Sequence, residues 1–174
     1  MKALILILCL SVTTVGFGKD AQALSGGSAI HWRNFSISLK GAKKVVIYVG
    51  TPKQRQNDLE PSEPTLIIDD FEFYQKPLEV SPEYQSQLTA IVCNPASFSE
   101  YRGMKLCGGF RPNVCIEWQF ESEGQQWHSR AFACLGCDEW RLINRFSAVH
   151  TDMTQSARDE IVRITQALKA KGAK

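Results

Sequence analysis

The chain has 174 residues, 44% hydrophobic and 22% charged, with 20 Lys and Arg against 18 Asp and Glu. This composition is that of a folded globular protein with enough apolar material for one core and too little for two, and it excludes a disordered, highly charged tail. A balance this close to neutral gives no electrostatic case for a nucleic acid partner.

The opening residues, MKALILILCLSVTTVGFGKDAQA, place Lys2 ahead of an apolar run from Ala3 to Leu10 that fades into Ser, Thr and Gly. That is the layout of a secretory signal. Ala21-Gln22-Ala23 predicts a cut before Leu24, with Gly16 or Gly18 as earlier alternatives. A membrane-spanning helix needs roughly 20 apolar residues, more than this run supplies. The expectation is an exported protein, periplasmic or secreted and not integral to the membrane after cleavage. Residues 1–23 are then the signal peptide, 24–174 one domain, and Cys9 leaves with the signal.

Phe35, Ile37 and Leu39 alternate with polar residues, KGAKK interrupts, and VVIYV follows. The period of two predicts two strands joined by a turn. GTPKQRQNDLEPSEPT, rich in Pro and charge and without period, predicts a surface loop. TLIIDDFEFY reads as one strand with a mostly apolar face. Its acids Asp69, Asp70 and Glu72 lack an EF-hand spacing and read as the wet side of that strand rather than as calcium ligands.

Ser81 at an N-cap, Pro82 at the first helical position and Glu83 in the first turn open a helix. Tyr84, Leu88, Ile91 and Val92 share one face of it, Cys93 sits in its last turn, and Asn94-Pro95 stops it. After a loop that carries Cys107, strands are predicted from Val114 to Phe146, and a final amphipathic helix starts near Thr154 with Ala157, Ile161, Ile164 and Leu168 on one face. The expected fold class is α+β, a mainly antiparallel sheet with two packed amphipathic helices in a single domain.

NVCIEWQFESEGQQWHSRAFAC predicts a hairpin. With residues 122–125 as its loop, Phe120 faces Trp127, Trp118 faces Ser129, Ile116 faces Ala131 and Val114 faces Ala133. Glu117 then meets Arg130 on the reverse side as an opposite-charge pair. The same register makes Cys115 and Cys134 diagonal neighbours at roughly 7 to 8 Å, near the limit for a disulfide, so that bond is allowed but not required.

Cys134 and Cys137 form a Cys-x-x-Cys pair, read as lying at a strand-to-strand corner because Trp140 and Leu142 alternate with Arg141 and continue as another strand. A thioredoxin-type pair instead opens a helix, whose N-terminus stabilises the thiolate. Asp138 and Glu139 beside the pair disfavour a thiolate further. Zinc is a second reading, with Cys107, Cys134, Cys137 and Cys115 as ligands; one Cys-x-x-Cys plus two single cysteines is a weaker signal than two such pairs. Structural disulfides are the third, favoured by an oxidising compartment. After signal removal five cysteines remain, Cys93, Cys107, Cys115, Cys134 and Cys137, so one must be free, metal-bound or intermolecular. The histidines His31, His128 and His150 are scattered, no nucleophile stands in a local motif, and no glycine-rich phosphate loop follows a strand.

VCN…KLCGGFRPNVCIEWQF…RAFACLGCDEWRLI, followed by an amphipathic helix, resembles a group of exported bacterial proteins. Their pattern is a Cys, a Phe-x-Pro segment, a strand, then Cys-x-x-Cys with an acid just after it. Here it falls on Cys107, Phe110, Pro112, Cys134 and Cys137 with Asp138 and Glu139, and the similarity extends over residues 43–171. The resemblance implies a shared fold around Cys107, Cys134 and Cys137 and brings no activity with it; Cys93 and Cys115 stand outside the pattern. The expected function is a non-enzymatic binding or accessory module without a cofactor, stabilised by a disulfide of Cys107 with Cys134 or Cys137, its partner another exported protein and not a nucleic acid. The alternatives are a thiol-disulfide redox protein using Cys134 and Cys137, and a zinc-stabilised structural module.

Overall fold

The computed structural model describes residues 24, 26–52, 63–103, 105 and 109–172. The signal-peptide expectation, most of the Pro-rich loop and Cys107 lie outside them.

The fold is α+β: three helices, a seven-stranded antiparallel sheet and a two-stranded one. In chain order the elements are α1 (Gly26–Ser38), β1 (Lys44–Val49), β2 (Thr65–Ile68), β3 (Phe71–Tyr74), β4 (Leu78–Glu79), α2 (Pro82–Cys93), a 3₁₀ turn (Pro95–Ser97) and β5 (Phe98–Ser99). There follow β6 (Val114–Ser122), β7 (Gln125–Cys134), β8 (Glu139–Ile143), β9 (Ala148–Met153) and α3 (Gln155–Gly172). The large sheet runs β4-β1-β6-β7-β8-β9-β5, and β2 pairs with β3.

The first strand expected from the sequence, around Phe35 to Leu39, is instead the end of α1 and the turn after it. Phe35 and Leu39 are four residues apart, so they satisfy a helical stripe as well as an alternation, and Trp32 extends the stripe. Phe35 and Leu39 are buried while Ile37 is 56% exposed, which the strand reading would have placed beside them. The Trp32 indole N–H donates to the Val92 carbonyl at 3.0 Å and ties α1 to α2.

TLIIDDFEFY is also not one strand but a hairpin, folded back at Asp69 and Asp70. Both aspartates take positive φ, 47° and 71°, the pattern of a tight type I′ turn that short Asp side chains tolerate. Ile68 and Phe73 are buried and Ile67 is not.

The β6–β7 register is the expected one at all five pairs, from Val114 with Ala133 to Phe120 with Trp127 and including Glu117 with Arg130. Its loop is shorter than expected: Ser122 pairs with Gln125, leaving Glu123 and Gly124 as the turn, both at positive φ. Phe146 lies beyond β8 and is exposed, so the strand stops at Ile143. β9 was not anticipated.

The α2 boundaries agree with the sequence: Pro82 opens it, Leu88 and Val92 are buried, and Asn94 ends it. In α3, Ala157, Ile161, Ile164 and Leu168 form the buried stripe. Gly50 lets β1 pass the chain at residues 112–113, where any Cβ would stand 2.3 Å from the Pro112 carbonyl oxygen.

Alternation divides the large sheet into two unlike faces. One carries Val45, Ile47, Ile116, Trp118, Ala131, Ala133, Trp140 and Leu142, and packs against the three helices in the main core. The other carries Cys115, Glu117, Arg130, Phe132, Cys134, Glu139, Arg141, His150 and Asp152. The β2–β3 hairpin covers part of it through a small cluster of Ile68, Phe73, Cys115 and Phe132, with Phe110 packed alongside.

Candidate functional site

The Cys-x-x-Cys pair closes the corner between β7 and β8, as its strand-to-strand reading requires. Cys134 ends β7, residues 135–138 turn, and the Cys137 N–H reaches back toward the Cys134 carbonyl at 3.4 Å. Asn113 holds this turn from outside: its side-chain oxygen accepts from the Leu135 N–H at 2.8 Å, and its own N–H donates to Ala133. Asp138 takes positive φ, and its carbonyl accepts from the Met153 N–H at 2.7 Å.

Charged and aromatic groups from five segments converge on and around the corner: the chain that carries Tyr101, Lys105 and Phe110, β3, β8, β9 and α3. The Lys105 ammonium donates to the carbonyls of Cys137 and Asp138 and lies 3.0 Å from the Asp152 carboxylate. Glu139, only 3% exposed, meets Lys105 at 4.0 Å with one oxygen and the His150 imidazole at 2.9 Å with the other. Tyr101 stacks on the His150 ring with centroids 4.2 Å apart, and Phe110 approaches its edge. The Arg141 guanidinium lies over both Phe71 and Phe110. Asp138 pairs with Arg158 of α3 at 3.3 Å. The two acids that the sequence sets against a thiolate are therefore each opposed by a basic group.

Cys134 is buried and keeps a free thiol. Cys137 is buried too and does not stand among the free thiols, which are Cys93, Cys115 and Cys134 among the described residues. That sulfur lies 4.0 Å from the Gly109 carbonyl oxygen. Lys105 and Gly109, the described residues on either side of Cys107, thus both reach this corner.

The other candidate cysteines lie elsewhere. Cys115, in β6, is a free thiol inside the hairpin cluster. Burial first, and the Glu117 charge second, push its pKa well above the usual value, opposite to what a thiolate ligand requires. Cys93 is free at the end of α2, on the helix side of the sheet, with its sulfur 3.8 Å from the Ser36 carbonyl; burial raises its pKa. Among the described residues no three His, Cys, Asp or Glu side chains gather as a metal site.

A second polar cluster lies farther along the same face. Glu117, 3% exposed, accepts from Arg130 Nε at 2.7 Å and from Gln119 at 2.9 Å. His128 Nδ1 stands 3.3 Å from Glu117, near enough to pair when protonated but not aligned as a hydrogen bond. Arg130 also reaches Asp69 in the hairpin turn at 3.2 Å. Burial opposes the Arg130 charge, but the hydrogen bond and charge of Glu117, followed by Asp69, outweigh it and raise the guanidinium pKa. Burial and Glu117 likewise raise the Tyr48 phenol. Asp69 is therefore a latch on Arg130, and Glu72 is bonded by Thr51 and Thr65. Beside the hairpin, Phe71, Phe110, Arg111 and Asn113 line an open recess of about 560 Å³.

Sequence reasoning found Glu117 and Arg130 by register but missed His150, Asp152 and Lys105. The first two had a signal, since AVHTDM alternates Val149, Thr151 and Met153 with Ala148, His150 and Asp152. Lys105 had none; it stands outside any periodic segment.

Comparison with protein-family models, with curated proteins and with solved structures finds no match.

Proposed function

We propose that this chain is an exported, non-enzymatic binding or accessory module whose polar face is braced by a disulfide between Cys107 and Cys137. The observation that carries the reading is the corner itself. Cys137 is not among the free thiols, and Lys105 and Gly109, flanking Cys107, both contact the residues around it. A bond there would hold the segment that brings Lys105 and Phe110 onto the sheet, and with it one wall of the recess that Phe71, Arg111 and Asn113 complete. The recess offers aromatic, cationic and amide groups to a partner, which suits a polypeptide segment of another exported protein.

The redox alternative places Cys134 and Cys137 in one exchangeable pair, and the zinc alternative makes Cys107, Cys134 and Cys137 ligands. Titrating the natively exported protein against dithiol buffers, with metal content measured on the same sample, separates the three. A structural brace has a reduction potential below about −300 mV, and Cys137→Ser costs about 2 to 4 kcal/mol of stability in urea unfolding. A potential between about −270 and −120 mV would overturn the brace in favour of redox chemistry. One equivalent of zinc, released by a chelator with loss of structure, would favour the metal reading.

A further inference from the structure

We propose that the outward side of α1, together with the turn between β8 and β9, docks onto an anionic phospholipid surface. This goes beyond the binding module proposed above and does not rest on it: α1 lies on the helix side of the large sheet, whereas the recess lies on the hairpin side.

The helix α1 is apolar on two opposite sides. Trp32 and Phe35 pack into the main core. At about 100° of helical turn per residue, Ile30 and Ile37 fall within about 20° of each other and on the reverse side. There they are 61% and 56% exposed. The turn between β8 and β9 stands at the end of the same helix. The Asn144 side-chain amide donates to the Ser38 hydroxyl at 3.1 Å, and the Asn144 side-chain oxygen accepts from the Phe146 N–H at 2.9 Å. Phe146 is 82% exposed, with the Arg145 guanidinium over its ring. Three large apolar side chains thus protrude from neighbouring segments without cover among the described residues.

Charge decides what covers them. The sequence holds no acid from Ala21 to Asn57, nor from Trp140 to Thr151. Arg33 between the two isoleucines, Lys40 after the helix and Arg145 in the turn are all exposed. Among the described residues none of them pairs with a carboxylate. A chain that is nearly neutral overall therefore gathers unanswered cations where it leaves apolar side chains in water. That combination suits the headgroup boundary of an anionic bilayer, where the Phe146 ring and the two isoleucines enter the acyl edge and the cations meet phosphate. A second copy of the chain fits less well, because laying this patch on itself would set like charges face to face.

Flotation of the natively exported chain with lipid vesicles tests this. Binding is expected to vesicles of phosphatidylcholine and phosphatidylglycerol in equal parts, to weaken as salt is raised, and to be absent with phosphatidylcholine alone. Phe146→Ser should weaken it about tenfold. Arg33→Gln combined with Lys40→Gln should weaken it about 25-fold, at about fivefold for each cation. These side chains are exposed, so the variants should keep the native urea midpoint. Lys169→Gln, the same loss of charge on an exposed position of α3, should bind like the native chain. No binding to the mixed vesicles at low salt would overturn the proposal. Equal binding to phosphatidylcholine alone would overturn it too, as would an equal loss in Lys169→Gln, which would make net charge rather than this face the cause. Sedimentation equilibrium without lipid covers the rival occupant: a dimer that Phe146→Ser dissociates would assign the face to a second copy instead.

Discussion

The two faces of the large sheet are made from the same strands, yet they are held in different ways. On the helix side, Trp118 and Trp140 are fully buried among Phe35, Ile161 and Ile164, and shape fit does the stabilising. On the hairpin side, the cover is a four-residue-per-strand hairpin plus the chain near Phe110, and buried carboxylates sit among the apolar residues. A buried carboxylate is tolerated only where its charge is answered, so each acid there fixes the position of a basic partner. The apolar face can be repacked gradually; the polar face depends on particular pairs.

The sharpest test of that contrast is truncation on the helix side. Trp118→Ala removes a fully buried ring that meets Phe35 edge-on and whose indole N–H donates to Thr89. It should cost about 3 to 5 kcal/mol in urea unfolding, the largest single effect expected. A loss under about 1 kcal/mol would mean that this face is not the main source of stability.

On the hairpin side, Glu117→Leu leaves Arg130 without its closest acceptor and should cost about 1 to 3 kcal/mol. Adding Arg130→Met should recover much of that loss, since a buried ion pair is replaced by apolar volume more easily than it is broken. If the double variant is as unstable as the sum of its parts, the pair acts through more than mutual compensation.

The smallest effect is a pH dependence. Burial, with Glu117 behind it, holds the Cys115 thiol well above its ordinary 9.0 in the folded chain. As pH rises past that ordinary value the unfolded chain loses the proton first, so stability is intact below it and falls above it until the folded thiol ionises. One such group contributes a slope of at most about 1.4 kcal/mol per pH unit. Urea midpoints from pH 7.5 to 10.5 should therefore decline less steeply in Cys115→Ala than in the native chain, and parallel curves would assign the decline to other groups such as Tyr48 or Cys93.

Legibility differed between the faces for a physical reason. Residues whose partners are set by a repeat could be placed from sequence: the β6–β7 register follows from alternation, and α2 and α3 from caps and a 3.6-residue stripe. The failures came where one pattern fits two geometries. Phe35 and Leu39 suit a strand or a helix, and Ile68 and Phe71 are consistent with an unbroken strand unless Asp69-Asp70 is read as a turn. The site was legible as a corner with two cysteines, but its surroundings were not. Lys105, Tyr101 and Phe110 come from a segment without period, and only the folded chain shows them meeting His150 and Glu139.

All four tryptophans, Trp32, Trp118, Trp127 and Trp140, belong to the helix-side core or pack on it. Intrinsic fluorescence is thus a one-sided optical reporter. With tryptophan excited selectively, it will register melting of the helix layer, while rearrangement around Phe71, Phe132 and the cysteine corner, whose aromatic rings are phenylalanines and tyrosines such as Tyr101, will pass almost dark.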